Sequence, residues 1–440
     1  MMMGDPNSLQ ESDLDTLSAE RVELVNEWHA RPNVTLPPPL RCTHLVNLRG
    51  GQSATECHAD FVSFCNEQGQ SPPGPGGRHH VVEVGSCLIK WENHTEATSH
   101  TVLVTGNGQP PFSESALDFV PQNKRRQLLE RMFIGVQVEV LRNTSARDGN
   151  GFELAQSLLG NSAIYGGWMA GHSAEVWSAF CLDARGFVRL VILDHGLNEE
   201  RLGRLLQRLL DLETYRMLAM KALPEARAVM ASLEQLEPEL DRVMRELSVN
   251  YDESAQEDAL HQITGIAARV EQIASAHASR FAGARAYLGI VEHRVAEVKE
   301  EPLDNHQRYT HFLLKSLLPA MRTCDAAERR THELAERVTR AANLLSTMVD
   351  MEQTRQSHSI LNSVAERARL QLRLQQAVEG FSIFAITYYA VGLLNYALKS
   401  ANAAGLRVDS ELLTGLAAPL VFALVYASVR SVRRRLIARS

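Results

Sequence analysis

Two uncharged stretches near the carboxyl end limit what this chain can fold into more than any other feature. They cover residues 380–398 and 412–429, and neither contains an acidic or basic side chain. A helix rises about 1.5 Å per residue, so about 20 residues span roughly 30 Å, the thickness of the hydrocarbon core of a bilayer. The alternative, a buried core hairpin, would show a polar face at helical spacing, whereas polar residues here are isolated. We therefore predict a C-terminal hairpin of two transmembrane helices, 380–398 and 412–429.

Basic residues predict the orientation of this hairpin. Positive side chains stay on the cytoplasmic side of a membrane. They flank the hairpin at both ends, whereas the connecting loop holds only two, offset by two acidic residues. Both termini are thus predicted to be cytoplasmic. The tail, residues 430–440, is expected to bind anionic lipid headgroups at about 1 kcal/mol per basic residue near the surface. Its arginines are Arg430, Arg433, Arg434, Arg435 and Arg439.

Residues 20–196 contain several short runs in which apolar and polar side chains alternate, which predicts half-buried strands. The runs begin at Cys42, His79, Ser99, Phe133 and Gly186. With helical stretches between them, they predict an α+β fold class and a cytoplasmic domain built on a mixed, mostly antiparallel sheet. The acidic and polar residues 1–19 are expected to be disordered, and they lack the basic start and apolar core of a secretory signal.

Residues 197–379 predict a helical bundle that continues into a long stalk helix. Neither glycine nor proline occurs between Ala320 and Glu379. Within that stretch an apolar seam advances by steps of four and three residues, the spacing of a coiled coil. The seam consists of Leu334, Val338, Ala341, Leu345 and Met348. It predicts that copies of the chain associate through this helix.

Composition and motifs point away from several function classes. The formal net charge of −7 argues against nucleic-acid binding, which requires a broad basic face. No phosphate-binding loop, catalytic serine elbow, zinc-protease motif or dinucleotide fingerprint occurs. We therefore expect no cofactor and favour a protein without enzymatic activity, with an unfamiliar active site around Arg78, His80 and Lys90 as the open alternative.

The cysteines and histidines show no metal-ligand spacing. None of the six cysteines forms a C-x-x-C pair, so they are predicted to be reduced thiols of a cytosolic domain. Seven histidines lie between His29 and His100. Together with Cys57 and Cys65 they could bind zinc or copper, but their spacing is irregular. We interpret them as surface or turn residues and expect no metal site.

Two dense polar and aromatic clusters are candidate surfaces for a ligand or a protein partner. One is "NEWHARP", residues 26–32, and the other is "RHHVVEVGSCLIKWENHTE", residues 78–96. Charged side chains of the second cluster could line a pocket for an anionic ligand. They equally suit cross-strand ion pairs on an exposed face, which we favour. The candidate residues are Trp28, His29, Arg31, Arg78, His80, Lys90, Trp91 and Glu92.

Polar residues of the first predicted span are candidates for a pore. Glu379 lies at its cytoplasmic mouth, and Thr387 and Asn395 lie within it. We interpret Glu379 as a solvated residue at the level of the lipid headgroups. In an oligomer it would instead form a ring of carboxylates, which attracts cations.

Long motifs give the chain a family resemblance. "NEWHARP", "RHHVVEVGSCLIKWENHTE", "GLNEERLGRLLQRLLDLETYRMLAMKALP", "LLPAMRTC" and "RLQLRLQQAVEGFSIFAITYYAVGLLNY" resemble a proteobacterial family of membrane-anchored proteins known only as a domain of unknown function. The resemblance covers about residues 20–400. It implies a bacterial inner-membrane location, and it supplies no activity and no catalytic residues.

The layout is also similar to that of CorA-type magnesium channels, which have a cytoplasmic α/β domain, a stalk helix, two C-terminal spans and a basic tail. Their Gly-Met-Asn signature is absent, because Gly392 is followed here by two leucines and then Asn395. A similar layout does not establish a function.

Two functions are consistent with these patterns. The first is a membrane-anchored cytoplasmic scaffold or sensor without catalytic activity, which forms a homo-oligomer, contacts the lipid bilayer and binds a cytoplasmic protein. The alternative is a CorA-like oligomeric cation channel or transporter with a cytoplasmic regulatory domain.

Overall fold

The computed structural model of the chain describes residues 21, 34, 37–142, 151–160, 163–249, 253–303, 306–403 and 409–437. The segment 1–19, predicted to be disordered, and the candidates Trp28, His29, Arg31 and Arg439 lie outside these residues. The chain divides into two compact units, residues 1–340 and 341–440.

An eight-stranded sheet forms the centre of the first unit and confirms the predicted α+β class. Its strands are β1 (Leu40–Leu48), β2 (His79–Val84), β3 (Cys87–Asn93), β4 (Ala97–Thr105), β5 (Met132–Arg142), β6 (Tyr165–Met169), β7 (Ala174–Leu182) and β8 (Val188–Asp194). They lie in the order β2-β3-β4-β1-β5-β8-β7-β6. Only the central β5–β8 pair is parallel, so the sheet is mixed and mostly antiparallel.

Helices occupy the connections of the sheet and the remainder of the described chain. They are α1 (Ala54–Glu67), α2 (Gln122–Glu130), α3 (Gly151–Leu159), α4 (Glu199–Met220), α5 (Ala222–Val249), α6 (Glu253–Val298), α7 (Tyr309–Ala403) and α8 (Ser410–Ile437). Ser53 caps α1, because its side chain accepts a hydrogen bond from the backbone N–H of Glu56 and the Glu56 carboxylate accepts one in return.

Both faces of the sheet are covered, and strand register assigns each residue to one of them. Successive side chains of a strand point to opposite faces. Trp91 pairs with His100 on one face, where Phe61 of α1 stacks on Trp91 with ring centroids 4.8 Å apart; this is called the α1 face. His44 lies on the opposite face and forms a 2.9 Å hydrogen bond to Thr214 of α4; this is called the α4 face.

Two apolar clusters form the core of the sheet domain. One lies under α1 and α2 and includes Phe61, Phe64 and Trp91. The other lies at the β7–β8 end of the sheet and includes Trp177 and Val191. Fully burying side chains of this size stabilises a domain by about 1.5–3 kcal/mol each, so these two clusters hold the helical connections against the strands.

The helices that follow the sheet bury their apolar residues at helical spacing, as the sequence predicts. The buried leucines of α4 include Leu202, Leu205, Leu206, Leu209 and Leu210. Helix α5 continues through Pro238 and buries an apolar residue every three or four positions. In α7, Leu334 and Val338 of the predicted seam are buried within the chain itself, so these two residues are not available for the predicted association between copies.

Apolar side chains of the two predicted spans are exposed or half-buried, whereas Ala341 and Leu345 at the start of the second unit are buried. Helix α7 passes through the first predicted span and ends at Ala403, and α8 contains the second and continues into the arginine tail. Phe381 and Leu416 are 75% and 74% exposed. Leu361 and Val364, which precede the first span, are also exposed. Neither apolar segment is therefore a core helix of the described chain.

Alanine substitutions at two glycines, one in β6 and one in α6, test the packing at the edge of the sheet. A Cβ at Gly166 of β6 would clash with the backbone oxygen of Val176 and lie 2.6 Å from the Trp177 ring. We expect Gly166→Ala to lower the free energy of unfolding by about 1–3 kcal/mol, as overpacking does. Urea denaturation of the detergent-purified chain, followed by tryptophan fluorescence, measures this.

Gly265 is the matched control. It lies exposed within α6 and a Cβ there meets no atom within 4 Å. Alanine stabilises a helix interior relative to glycine, so Gly265→Ala should raise the free energy of unfolding by about 0.5–1 kcal/mol. Equal effects of the two substitutions would contradict the packing of β6 against β7.

Candidate functional site

Strand register separates the candidate residues of the β2–β3 hairpin. His80 pairs with Trp91 on the α1 face, whereas Lys90 and Glu92 point to the α4 face because they alternate with Trp91. Arg78 is exposed just before β2. The hypothesis of a single anion pocket lined by all four polar residues is therefore wrong, since the sheet itself lies between them.

Lys90 and Glu92 begin a buried chain of charged and amide groups, called here the α4-face network. Lys90 Nζ lies 3.0 Å from Glu92 Oε1 and donates a 2.8 Å hydrogen bond to Gln207 of α4. Gln207 donates to Asp211, 2.7 Å away, and Arg294 of α6 donates to the same carboxylate at 2.8 Å. The favoured prediction of exposed cross-strand ion pairs is wrong for this pair: Lys90 and Glu92 lie two residues apart on the same strand, β3, and are only 4% and 6% accessible.

The two carboxylates of this network respond differently to their surroundings. Burial alone would raise the pKa of Glu92, but a hydrogen bond from His79 and the charge of Lys90 hold that pKa well below its usual range. The folded-state pKa lies below the unfolded value, so this stabilisation is present above about pH 4.5 and is lost on acidification. Burial raises the pKa of Asp211, and Arg294 partly opposes that shift. Every charge in this network has a partner, which indicates a role in joining strands to helices.

The α1 face holds a different feature, a polar cleft of about 450 Å³ between α1, α2 and the strands β1, β3 and β4. Its floor is formed by the buried residues Asn47, Trp91, Thr98 and His100 and the half-buried cations Arg49 and Lys124. Its rim carries the exposed side chains of Asp60, Glu67, Glu130 and Arg131. We call this feature the α1 cleft. Positive charge lies at its floor and negative charge mainly at its rim.

Three buried polar atoms at the α1 cleft have no hydrogen-bond partner within the described residues. They are Asn47 Oδ1, Arg49 Nε and His100 Nδ1. Leaving a buried donor or acceptor unpaired costs about 1–3 kcal/mol, so native proteins nearly always satisfy such atoms with protein, water or ligand. A group of them around one cavity is a sign of a binding site.

Burial sets the protonation of the groups around the α1 cleft. Burial lowers the pKa of His100 well below its usual value, so the ring is neutral at physiological pH. Burial also lowers the pKa of Lys124, whose ammonium lies 5.3 Å from the centroid of the Phe64 ring. Burial raises the pKa of the Cys57 thiol, which borders the same cavity.

Several residues of the α1 cleft could not be identified from local sequence patterns. Asn47, Arg49 and Lys124 lie in no motif, and only the pairing of β1 with β4 and the packing of α2 bring them together. His100 was interpreted as a surface or turn histidine, which is wrong, because it is 5% accessible. A usable signal existed: a histidine at an inward position of an otherwise apolar strand, "HTVLV", needs a polar partner.

No three His, Cys, Asp or Glu side chains of the described ranges converge in a way that could hold a metal ion. The six cysteines are all free thiols, as their spacing predicts.

In the second unit, α7 and α8 each contain a segment that is long and apolar enough to cross a membrane. Their mean hydropathies are 1.5 and 2.0, and neither segment is buried. Phe384 and Phe422 bring the two helices into contact, with ring centroids 5.8 Å apart. Thr387 donates a hydrogen bond to the backbone oxygen of Ile383 in its own helix. Asn395 Oδ1 is buried and has no partner within the described residues.

The ends of these segments carry the remaining candidate residues. Glu379 is half-buried at the start of the first apolar segment, and Arg430 is exposed at the end of the second. Arg433, Arg434 and Arg435 lie in the last turns of α8.

These features define a class of protein: an α+β sheet domain covered on both faces by helices, followed by long helices and two apolar helices at the carboxyl end. The chain belongs to the family described as "Protein of unknown function (DUF3422)", which matches residues 17–436. No curated protein matches the chain in sequence. The family match includes the sheet domain and both apolar helices, so they are parts of one family architecture.

The α4-face network predicts a large effect of removing Lys90. Lys90→Met leaves the buried Glu92 and the half-buried Gln207 without their cation, and breaking a buried pair in this way costs about 3 kcal/mol or more. Chemical denaturation of the full chain in detergent measures the loss. The double variant Lys90→Met with Glu92→Gln removes both charges and should recover part of that stability.

Arg340→Met is the matched control, because Arg340 pairs with Glu336 on an exposed helix surface, where both side chains are more than half accessible. Exposed pairs contribute about 0–1 kcal/mol. A Lys90→Met effect as small as the control effect would show that the network is not buried.

Proposed function

We propose that this chain is a membrane-anchored protein of a bacterial inner membrane, whose two apolar helices span the bilayer and whose sheet domain acts in the cytoplasm as a sensor or scaffold without catalytic activity. One observation carries this proposal: the apolar segments of α7 and α8 are exposed along their length. Soluble monomers rarely expose contiguous apolar surface of this size, and a bilayer is the environment that removes it from water.

The charges at the ends of the segments support the orientation. Arg430 and the arginines of the last turns of α8 follow the second segment, and basic residues remain on the cytoplasmic side. With two spans, the sheet domain and the arginine tail then lie on the same side, where the tail contacts anionic headgroups. The connection between the two apolar segments then lies on the opposite side of the membrane.

A homo-oligomer is the second part of the proposal. An unpaired amide oxygen inside hydrocarbon is unfavourable, and asparagine side chains hydrogen-bond between membrane helices. Asn395 is half-buried and its Oδ1 lacks a partner within the described residues, so we infer that this amide hydrogen-bonds to a second copy of the chain. The exposed Leu361 and Val364 of α7 add apolar surface that association between copies would cover.

The CorA-like channel is the weaker alternative. Its candidate pore residues Glu379, Thr387 and Asn395 are spaced eight residues apart. Eight residues advance a helix by two turns and about 80°, so the three side chains spread over about 160° of the helix surface. They do not form one narrow stripe. Cation flux into liposomes containing the purified chain, measured against empty liposomes, tests this alternative; equal rates would exclude it.

Truncation tests the anchor. Deleting Phe381–Ser440 removes both apolar segments, and the remaining chain should move from the membrane pellet to the supernatant after ultracentrifugation and carbonate washing. Deleting residues 430–440 alone is the control, because both spans remain and the protein should still pellet. A truncated chain that remains in the washed membranes, although it is folded, would refute the anchor.

Asn395→Leu tests the oligomer. Loss of an interhelical hydrogen bond in a membrane costs about 0.6–1.5 kcal/mol, so we expect the association constant in detergent to fall about threefold to tenfold, as measured by sedimentation equilibrium. Thr387→Val is the control, since that hydroxyl is bonded within its own helix and its loss should leave association unchanged. Equal association of the wild type and Asn395→Leu would remove Asn395 from the interface.

A further inference from the structure

We propose that the α1 cleft is a binding site for a small organic anion, a carboxylate or a phosphate ester, that also carries a hydroxyl or amine hydrogen-bond donor. This inference goes beyond the proposed function, because it concerns the sheet domain alone and holds whether or not the chain is anchored in a membrane.

The floor of the cleft supplies the positive charge for the anionic group. Arg49 donates hydrogen bonds to Asn93 Oδ1, at 2.8 Å, and to the backbone oxygen of His94. These bonds fix its guanidinium and leave Nε, which is buried and has no partner within the described residues. Lys124 faces the same cavity from α2. A held guanidinium and a nearby ammonium form a preorganised site for carboxylate or phosphate oxygens.

The buried polar atoms of the floor specify what else the ligand carries. Asn47 is 6% accessible, and its amide nitrogen already donates to the backbone oxygen of Leu128 at 2.7 Å. Its Oδ1 is an acceptor without a partner in the described chain, and only a donor group satisfies it. His100 Nδ1 is a second unpaired atom, and the neutral ring either donates or accepts there, depending on its tautomer. An anion has no donor for Asn47 Oδ1, so that oxygen pairs either with water or with a donor carried by the ligand.

Two carboxylates, Asp60 and Glu67, also act on the floor, because their charges partly offset the effect of burial on the pKa of Lys124. Asp60 accepts a 3.4 Å hydrogen bond from Gln52, and Ser63 donates to Glu67 at 3.3 Å, both at the exposed rim. Water screens exposed charges, whereas the charges at the floor are shielded from it. An anion at the floor therefore pairs with Arg49 and Lys124 in competition with the exposed carboxylates of Asp60 and Glu67.

The size of the cavity and its walls limit the ligand further. About 450 Å³ is within the range of small-molecule sites and suits a metabolite rather than a protein segment. Phe61 and Trp91, whose rings stack on each other, contribute apolar surface to the cleft. Burial lowers the pKa of Lys124, and a bound anion would offset the cost of keeping that ammonium charged.

Thermal unfolding of the full chain in lipid nanodiscs tests the site. The probes are sn-glycerol 3-phosphate, a phosphate ester with hydroxyl donors, and L-malate, a carboxylate with one; glycerol is the neutral control. A ligand that binds only the folded state raises its midpoint. We expect at least one of the two anions at millimolar concentration to raise the midpoint by a few degrees and glycerol to leave it unchanged. The anion that raises the midpoint shows whether the site prefers a phosphate ester or a carboxylate.

The variant Lys124→Met tests whether the anion binds in the α1 cleft. This variant should weaken the response to the active anion at least tenfold in concentration, and Lys124→Arg should retain most of it. Arg125→Met is the matched control: Arg125 is the next residue of α2, pairs with Asp118 at 2.9 Å and does not border the cleft. Unliganded midpoints of all three variants near the wild-type value show that they fold.

Cys57 provides an independent readout, because its thiol borders the cleft. In a Cys181→Ser background, which removes the exposed cysteine, the active anion should slow N-ethylmaleimide modification of Cys57, followed by mass spectrometry, by several-fold. The proposal is overturned if neither anion raises the midpoint, if glycerol does so equally, if Lys124→Met responds like the wild type, or if Cys57 reacts at the same rate with and without the active anion.

Discussion

Helices cover both faces of the sheet, and this constrains which side chains the rest of the first unit can accommodate. Most strand side chains then point into protein, and a polar one must find a partner there. The two faces meet this requirement in different ways. On the α4 face, Lys90 and Glu92 are joined through Gln207 to Asp211 and the network is closed. On the α1 face, polar atoms of Asn47 and His100 are left unpaired beside a cleft. The closed network of the α4 face indicates a structural role, and the unpaired atoms of the α1 face indicate a binding site.

The second unit differs, because the apolar side chains of its two predicted spans are exposed or half-buried. Backbone polar groups of α7 and α8 are satisfied within each helix, which is a condition for crossing hydrocarbon. The polar side chains divide in the same way as those of the sheet: Thr387 is satisfied within its helix, and Asn395 has an unpaired oxygen. In each unit an unpaired buried atom thus supports a proposed contact. In the first unit the contact is with a small molecule, and in the second it is with another copy of the chain.

Local sequence patterns predicted most of the elements correctly. Alternation identified the strands that begin near His79 and Ser99, and helical spacing identified the leucine face of α4. The absence of charge identified the two apolar helices. These signals are local, since each depends on the period of one element. The hypothesis of a pocket around Arg78, His80 and Lys90 is wrong because residues that are close along a hairpin need not lie on the same face of the sheet.

By itself, the sequence determined the α+β class, the hairpin of β2 and β3 and the two apolar helices, because the period and length of each element are written in consecutive residues. Only the tertiary structure decided which face Lys90 and Trp91 occupy, which strands are neighbours, and that Asn47, His100 and Lys124 surround one cleft. The physical reason is that strand register and helix packing depend on the fit of surfaces far apart in the chain, and no period in the sequence records that fit.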